Sequence, residues 1–360
     1  MSRDMRRVLD SPQNFAANSP VSFTLPVTSV YKEINLLLEY AASTGAGGAL
    51  SGYFDRAPWT LIKRIELIAD GRDVIKSYDG GTLLDINQWD FGQYAPTQLA
   101  ALGAAATNGT PTKPLSHLLT ISLESVGMMP EFDSTTGKVI GGPNMTLLDA
   151  RKLSSLELRL TFGAGQADIS STVTAISALD TFRITPIGHE ILDISRENAF
   201  AVNQEVMSSQ AFPTNTATDK GFRQNVGNAY RRAFVSTTDS NARAAVDRLL
   251  KLVIEENGTF NRRIWDAGAL KQHNSLHRNL AVGLGNGQAP TATPVISTTQ
   301  GDNGGNRLGF YCMDVAEDGK VSSLLDTRGY SDLQYKIDWD GANTTDLIRI
   351  CNSIIIPNIR

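Results

Sequence analysis

From Val21 onward, apolar and polar positions alternate in short runs with a period close to two. VSFTLPVTSVYKEINLLLEY is rich in β-branched and apolar residues and predicts strands. After a small-residue loop (Ala41 to Gly52), WTLIKRIELIA predicts a half-buried strand, Asp70-Gly71 a tight turn and RDVIKSY the returning strand. DGGTLLDINQW adds a second turn and a short helical or irregular piece. Residues 93–117 combine an alanine-rich helix candidate with a Thr/Pro/Gly loop. Strand patterns then resume in LLTISLESVGMM, LDARKLSSLELRLTF and FRITPIGHEILDI. Short strands separated by turns, with few amphipathic helices, predict an all-β sandwich or barrel.

The pattern occurs twice. Ile62 to Asn87 returns without a gap as Leu249 to Asn274, 187 positions on. Gly71, Asp79, Gly81, Leu83 and Asn87 recur as Gly258, Asp266, Gly268, Leu270 and Asn274, and Asp70, Lys76 and Tyr78 become Asn257, Arg263 and Trp265. A second pair, LDARKLSSLELRLTF from Leu148 and LDTRGYSDLQYKIDW from Leu325, lies 177 positions apart. It keeps Asp149, Arg151 and Ser154 as Asp326, Arg328 and Ser331. YKEINLLL and YRRAFVST correspond more loosely. Two matches in the same order at nearly the same offset predict a duplicated module. The expected organisation is an N-terminal arm (residues 1–19, flexible or briefly helical), a first module (20–195), a polar linker with the start of the second module (196–228), and a second module (229–360). Gly/Thr/Pro/Asn-rich loops interrupt both copies at matching places, 93–117 and 283–306, where an outward or binding face is expected.

Composition narrows the function classes. An apolar fraction of 41% and a charged fraction of 19% describe a folded chain, and 360 residues suffice for two cores. A net charge of -4 argues against coating nucleic acid by bulk electrostatics. No apolar run approaches the roughly 20 residues of a membrane span. MSRDMRRVLD lacks the apolar core of a signal peptide, so synthesis in a cytosol is expected. Cys312 and Cys351 are far apart, without a partner motif, and are expected as buried small hydrophobes.

Candidate chemistry is sparse. Asp79 and Asp266 each open a Gly-containing turn, where aspartate bonds local backbone. GLGNGQ (Gly283 to Gln288) leads into a Pro/Thr-rich loop and lacks the helix a phosphate loop needs. His273 and His277 stand four apart without further ligands nearby in sequence, His117 and His189 are isolated, and no GxSxG occurs. No HxH pair is present, which removes the double-cupin metal enzymes. No catalytic, cofactor or metal residue is assigned. Arg3, Arg6 and Arg7 remain as a candidate inter-subunit or membrane-facing arm, partly offset by nearby aspartates.

The duplicated β-module, with IKRIELIADGRDVI early and LDARKLSSLELRLTF or its counterpart late in each copy, resembles the double jelly-roll major capsid proteins of tailless icosahedral viruses, the lineage of tectivirus-type phages and the adenovirus hexon. The resemblance spans about residues 20–360 and departs from larger members in its short insertions. It implies two tandem eight-stranded jelly-roll sandwiches with few short helices, a non-enzymatic role in the virion, and homotrimers that tile a shell as pseudo-hexagons. Its implied partners are the chain itself, penton and minor capsid proteins, and an internal membrane in some members; no specific nucleic-acid contact follows. Two alternatives stay open: a secreted or virion-associated carbohydrate- or receptor-binding double sandwich, and a tandem jelly-roll glycan amidase with acids and aromatics between its rolls.

Overall fold

The computed structural model describes residues 4–43, 56, 58–91, 115–135, 137–165, 168, 178–192, 201–239, 242–243, 247–278, 309–342 and 345–357. The described chain forms two compact units. The first comprises Met1–Val206 with Gly319–Val321 and Ile356–Arg360, the second Met207–Asp318 with Ser322–Ile355.

In the first unit the strands are β1 (Asp4–Val8), β2 (Gln13–Asn14), β3 (Pro20–Leu25), β4 (Val30–Ser43), β5 (Ile62–Ala69) and β6 (Asp73–Tyr78). After helix α1 (Gly80–Phe91) come β7 (Leu115–Ser122), the hairpin β8 (Pro130–Asp133) and β9 (Lys138–Gly141), β10 (Leu148–Asp149), β11 (Leu156–Phe162) and β12 (Ala178–Ile191). Eight of them form two antiparallel sheets, β1-β12-β4-β7 and β3-β11-β5-β6. Along β11 the alternation is complete: Leu156, Leu158, Leu160 and Phe162 are buried between half-exposed polar neighbours. Phe162 meets Phe182 of β12 edge-on at 5.7 Å, and Phe15 packs against both rings.

Strand β13 (Ala201–Ala211) carries the chain from the first unit into the second. There follow β14 (Ala217–Gln224), β15 (Ala229–Asp239), β16 (Ala242–Arg243), β17 (Leu249–Glu256), β18 (Phe260–Asp266), helix α2 (Ala267–Arg278), β19 (Phe310–Asp314), β20 (Leu325–Asp326), β21 (Leu333–Trp339) and β22 (Asp346–Pro357). The pairing repeats that of the first unit: β13-β22-β15-β19 and β14-β21-β17-β18. Phe212 packs on Trp339 at 5.1 Å, as Phe15 does on Phe162. This is the expected all-β double jelly roll, with two short α-helices among the described residues.

Two stretches differ from expectation. The segment 1–19, expected as a flexible or helical arm, carries β1 and β2, both paired with β12. The polar region 196–228, expected as a linker with the start of the second module, holds strands β13 and β14. β1, β2 and β14 are outer strands with one face in solvent, so their sequences are polar and lack the apolar run of a central strand, whereas β13 lies between β22 and β6 and its buried side chains include the polar Asn203 and Glu205.

The recurring residues explain themselves locally. Asp70 (φ 51°) and Gly71 (φ 72°) form the β5–β6 turn, and Asn257 (φ 53°) and Gly258 (φ 72°) form the β17–β18 turn. Two successive positive φ values match the twist of a tight hairpin and favour Asp/Asn followed by Gly. The same side chain grips the strand pair alongside: Ser154 N donates to Asp70 Oδ1 at 2.6 Å, and Ser331 N to Asn257 Oδ1 at 2.8 Å. Thus the two matched sequence stretches touch each other in both units. Asp79 and Asp266 cap α1 and α2, accepting from Thr82 N (2.6 Å) and Ala269 N (2.9 Å). Asn87 exchanges two 2.7 Å bonds with the backbone of Thr120 on β7, and Asn274 Nδ2 donates to Cys312 O on β19 at 3.2 Å. Each helix is thereby tied to one strand of its roll.

Candidate functional site

The positions that invited a catalytic reading are occupied by structure. Asp79 and Asp266 are helix caps. His273 Nε2 lies 3.8 Å from Glu317, a partner distant in sequence, while the side chain of His277 lies outside the described residues. His117 is half-buried at the start of β7, and burial lowers its pKa. Among the described residues no three His, Cys, Asp or Glu side chains are placed to hold a metal ion, and both cysteines are buried thiols. Among the described residues no helix is long and apolar enough to cross a membrane. The loop expectations at 93–117 and 283–306 fall outside the described residues, apart from Leu115–His117, which begin β7.

The N-terminal arginines stand on an ordered strand. Arg3 lies outside the described residues. Arg7 faces the fully buried Glu190 of β12, with Nε 2.9 Å from Oε2 and Nη2 donating to Oε1 at 3.1 Å. Arg6 is largely exposed and reaches Glu33 of β4 at 3.5 Å. His189, isolated in sequence, sits between Glu33 (3.3 Å) and Asp4 (3.5 Å). Burial, and then the charge of Glu190, hold the Tyr31 phenol well above its usual range, and its hydroxyl donates to Pro26 O at 2.7 Å. Tyr230 repeats this contact on Asn225 O, its pKa pushed up to about 12 by burial. Arg7 is therefore committed to fastening β1 onto its own sheet; Arg6 keeps its charge at the surface.

The two units diverge at one sheet edge. In the first, β6 is covered: Glu205 and Val206 of β13 pair with it in parallel, opposite Lys76 and Ser77. Lys76 Nζ donates to Glu205 at 2.8 Å with both side chains buried. In the second, β18 ends its sheet, with no strand beyond it among the described residues. Arg263, the counterpart of Lys76, turns to Asp314 O (3.0 Å) and Glu317 (2.6 Å). Phe260 and Ile264 are 60% and 58% exposed, in a strand whose twin is buried from Ile75 to Tyr78. Neither Phe260 nor Ile264 stood out in the sequence, because exposure at a sheet edge depends on which strand lies alongside. A signal for β13 was present in Gln13-x-Phe15 and Gln210-x-Phe212, which sit at matching places in the two rolls.

No protein-family model and no curated protein matches the sequence. Solved structures do match in fold. The major capsid protein of Sulfolobus Turreted Icosahedral Virus superposes with a TM-score of 0.68 at 11% identity, covering 99% of this chain and 97% of that one. The major capsid protein P2 from bacteriophage PM2 gives 0.60 at 12% identity, over 99% and 98%. The PBCV-1 virus capsid gives 0.58 at 9% identity, over 99% and 94%. The chain shares the double jelly-roll fold of these proteins from end to end.

Proposed function

We propose that the chain is the major capsid protein of an icosahedral virus and resides in the virion. The observation that carries this reading is the extent of the likeness. A single jelly roll serves many functions. Here two rolls in tandem match viral capsid proteins over 97% and 98% of the partners' own length in the first two cases. Three chains closing head to tail place six similar rolls around an axis, and this six-fold packing from three copies gives the duplication a mechanical use. The work of such a protein is self-association, and the recurring residues spent on turns, caps and helix anchors fit a role without chemistry. Sedimentation equilibrium tests the reading. The chain weighs 38.9 kDa, so a stable trimer, three times that mass, sediments at about 117 kDa. A monomer at every concentration would refute a preformed capsomer.

A further inference from the structure

We infer that the open edge of β18 is the docking site for strand β1 of a second copy of this chain. The inference deepens the capsid reading and rests on its premise that the chain assembles with itself. Its warrant is internal. The same edge of the first unit, β6, is filled by the opening strand of the following module, β13, in parallel register. β13 is to β22 in its sheet what β1 is to β12, each lying at the start of a roll and beside its last long strand. Among the described residues one chain therefore holds one such junction already made and the two halves of another without a paired strand. The acceptor half is β18, which ends the sheet β14-β21-β17-β18, and the donor half is β1, which ends the sheet β1-β12-β4. A further copy supplies the missing half to each.

The surfaces suit this occupant. β1 exposes Asp4, Arg6 and Val8 on one face, with Val8 57% exposed. β18 offers Phe260 and Ile264, exposed apolar side chains on a bare strand edge that otherwise invites indiscriminate pairing. Tyr31 and Tyr230 stand 199 positions apart and Phe15 and Phe212 197, so Glu205 of β13 corresponds to a position within Arg6–Val8. The register of the β6 junction then sets the stretch Arg6–Leu9 opposite Arg263 and Ile264. The acid that Glu205 provides within the chain is provided on this side by Glu317, already 2.6 Å from Arg263. The contact is heterologous, β18 of one copy to β1 of the next, so it builds a closed ring when the rotation permits.

The test is cross-linking with two single-cysteine additions. Arg6→Cys and Ile264→Cys chains are expressed separately and together, then treated with a short bis-maleimide; the native thiols are buried. Covalent dimers are expected only where both variants are present. Dimers of Ile264→Cys alone would mean that β18 pairs with its own copy, which overturns the proposal. A trimer of wild-type mass that yields no mixed cross-link would overturn this interface and leave the capsid reading standing; a monomeric wild-type chain would overturn both. In parallel, Ile264→Lys changes an exposed position. It is expected to abolish the oligomer with an unchanged thermal unfolding midpoint, and retention of the oligomer would contradict the assignment.

Discussion

β6 and β18 occupy the same place in two copies of one strand plan, yet among the described residues one is covered by a further strand and the other is not. Lys76 is wholly buried against Glu205, while Arg263 is a third exposed beside Glu317. Everything that shapes the hairpin is shared: the left-handed Asp/Asn-Gly turn, the grip on Ser154 or Ser331, and the aspartate cap that follows. Duplication has kept the residues that hold backbone in place and released those that answer to a neighbour. On the proposed assembly, divergence between the copies marks surfaces with different partners.

The largest effect expected from breaking this comparison is at the covered edge. Lys76→Ala leaves Glu205 buried without its cation and should cost about 3–5 kcal/mol in urea unfolding. Arg263→Ala, at the open edge, should cost under about 1 kcal/mol. Equal costs would mean that the two edges are not in different surroundings.

Next come the helix anchors. Asn87→Ala removes two bonds and leaves both backbone groups of Thr120 unmatched, for about 2–3 kcal/mol, whereas Asn274→Ala removes one longer bond, for about 1 kcal/mol. The helix starts sharpen the contrast. A Cβ on Gly80 would lie 2.3 Å from the carbonyl oxygen of Trp59, so Gly80→Ala should cost about 1–3 kcal/mol through overpacking. Its counterpart Ala267 already carries that methyl, and Ala267→Gly should cost under about 1 kcal/mol. Thermal unfolding of the pair checks the asymmetry.

The smallest effect is acid sensitivity at the matched Asp-Arg pairs. Hydrogen bonds from Arg328 hold Asp326 down to about 2. The unfolded chain takes up that proton first, near the ordinary pKa of about 4. The contribution is therefore complete above that value and lost as the pH falls toward about 2. Both partners are well exposed, so Asp326→Asn should flatten the acid limb of stability only slightly. At Asp149 burial opposes the charge, but the bonds from Arg151 and its charge win and the pKa is again lowered. Asp149 is buried, so Asp149→Asn should change the same limb more.

The fold was legible where local chemistry constrains the chain. Positive-φ turns demand Gly and Asn or Asp, caps demand Asp, and a strand between two partners must alternate, so Gly71, Asp79 and the run Leu156–Phe162 announced themselves twice. β1 and β13 were not legible. DMRRV and NQEVMSSQA present one face to solvent, and their place comes from pairing with strands far along the chain, β12 at the end of one roll and β22 at the end of the other. The ties of Arg7 to Glu190 and of His189 to Glu33 were hidden for the same reason, since each joins residues more than 150 positions apart. The exposure of Phe260 and Ile264 depends on what β18 lacks as a neighbour, which no local pattern records.

The most direct test of the central claim, that two modules fill two places in one assembly, is electron-microscopic class averaging of the purified oligomer viewed down its axis. The account predicts six similar lobes contributed by three chains, alternating in two slightly different shapes. A two-lobed particle, or a ring whose lobes do not number twice its chains, would contradict it.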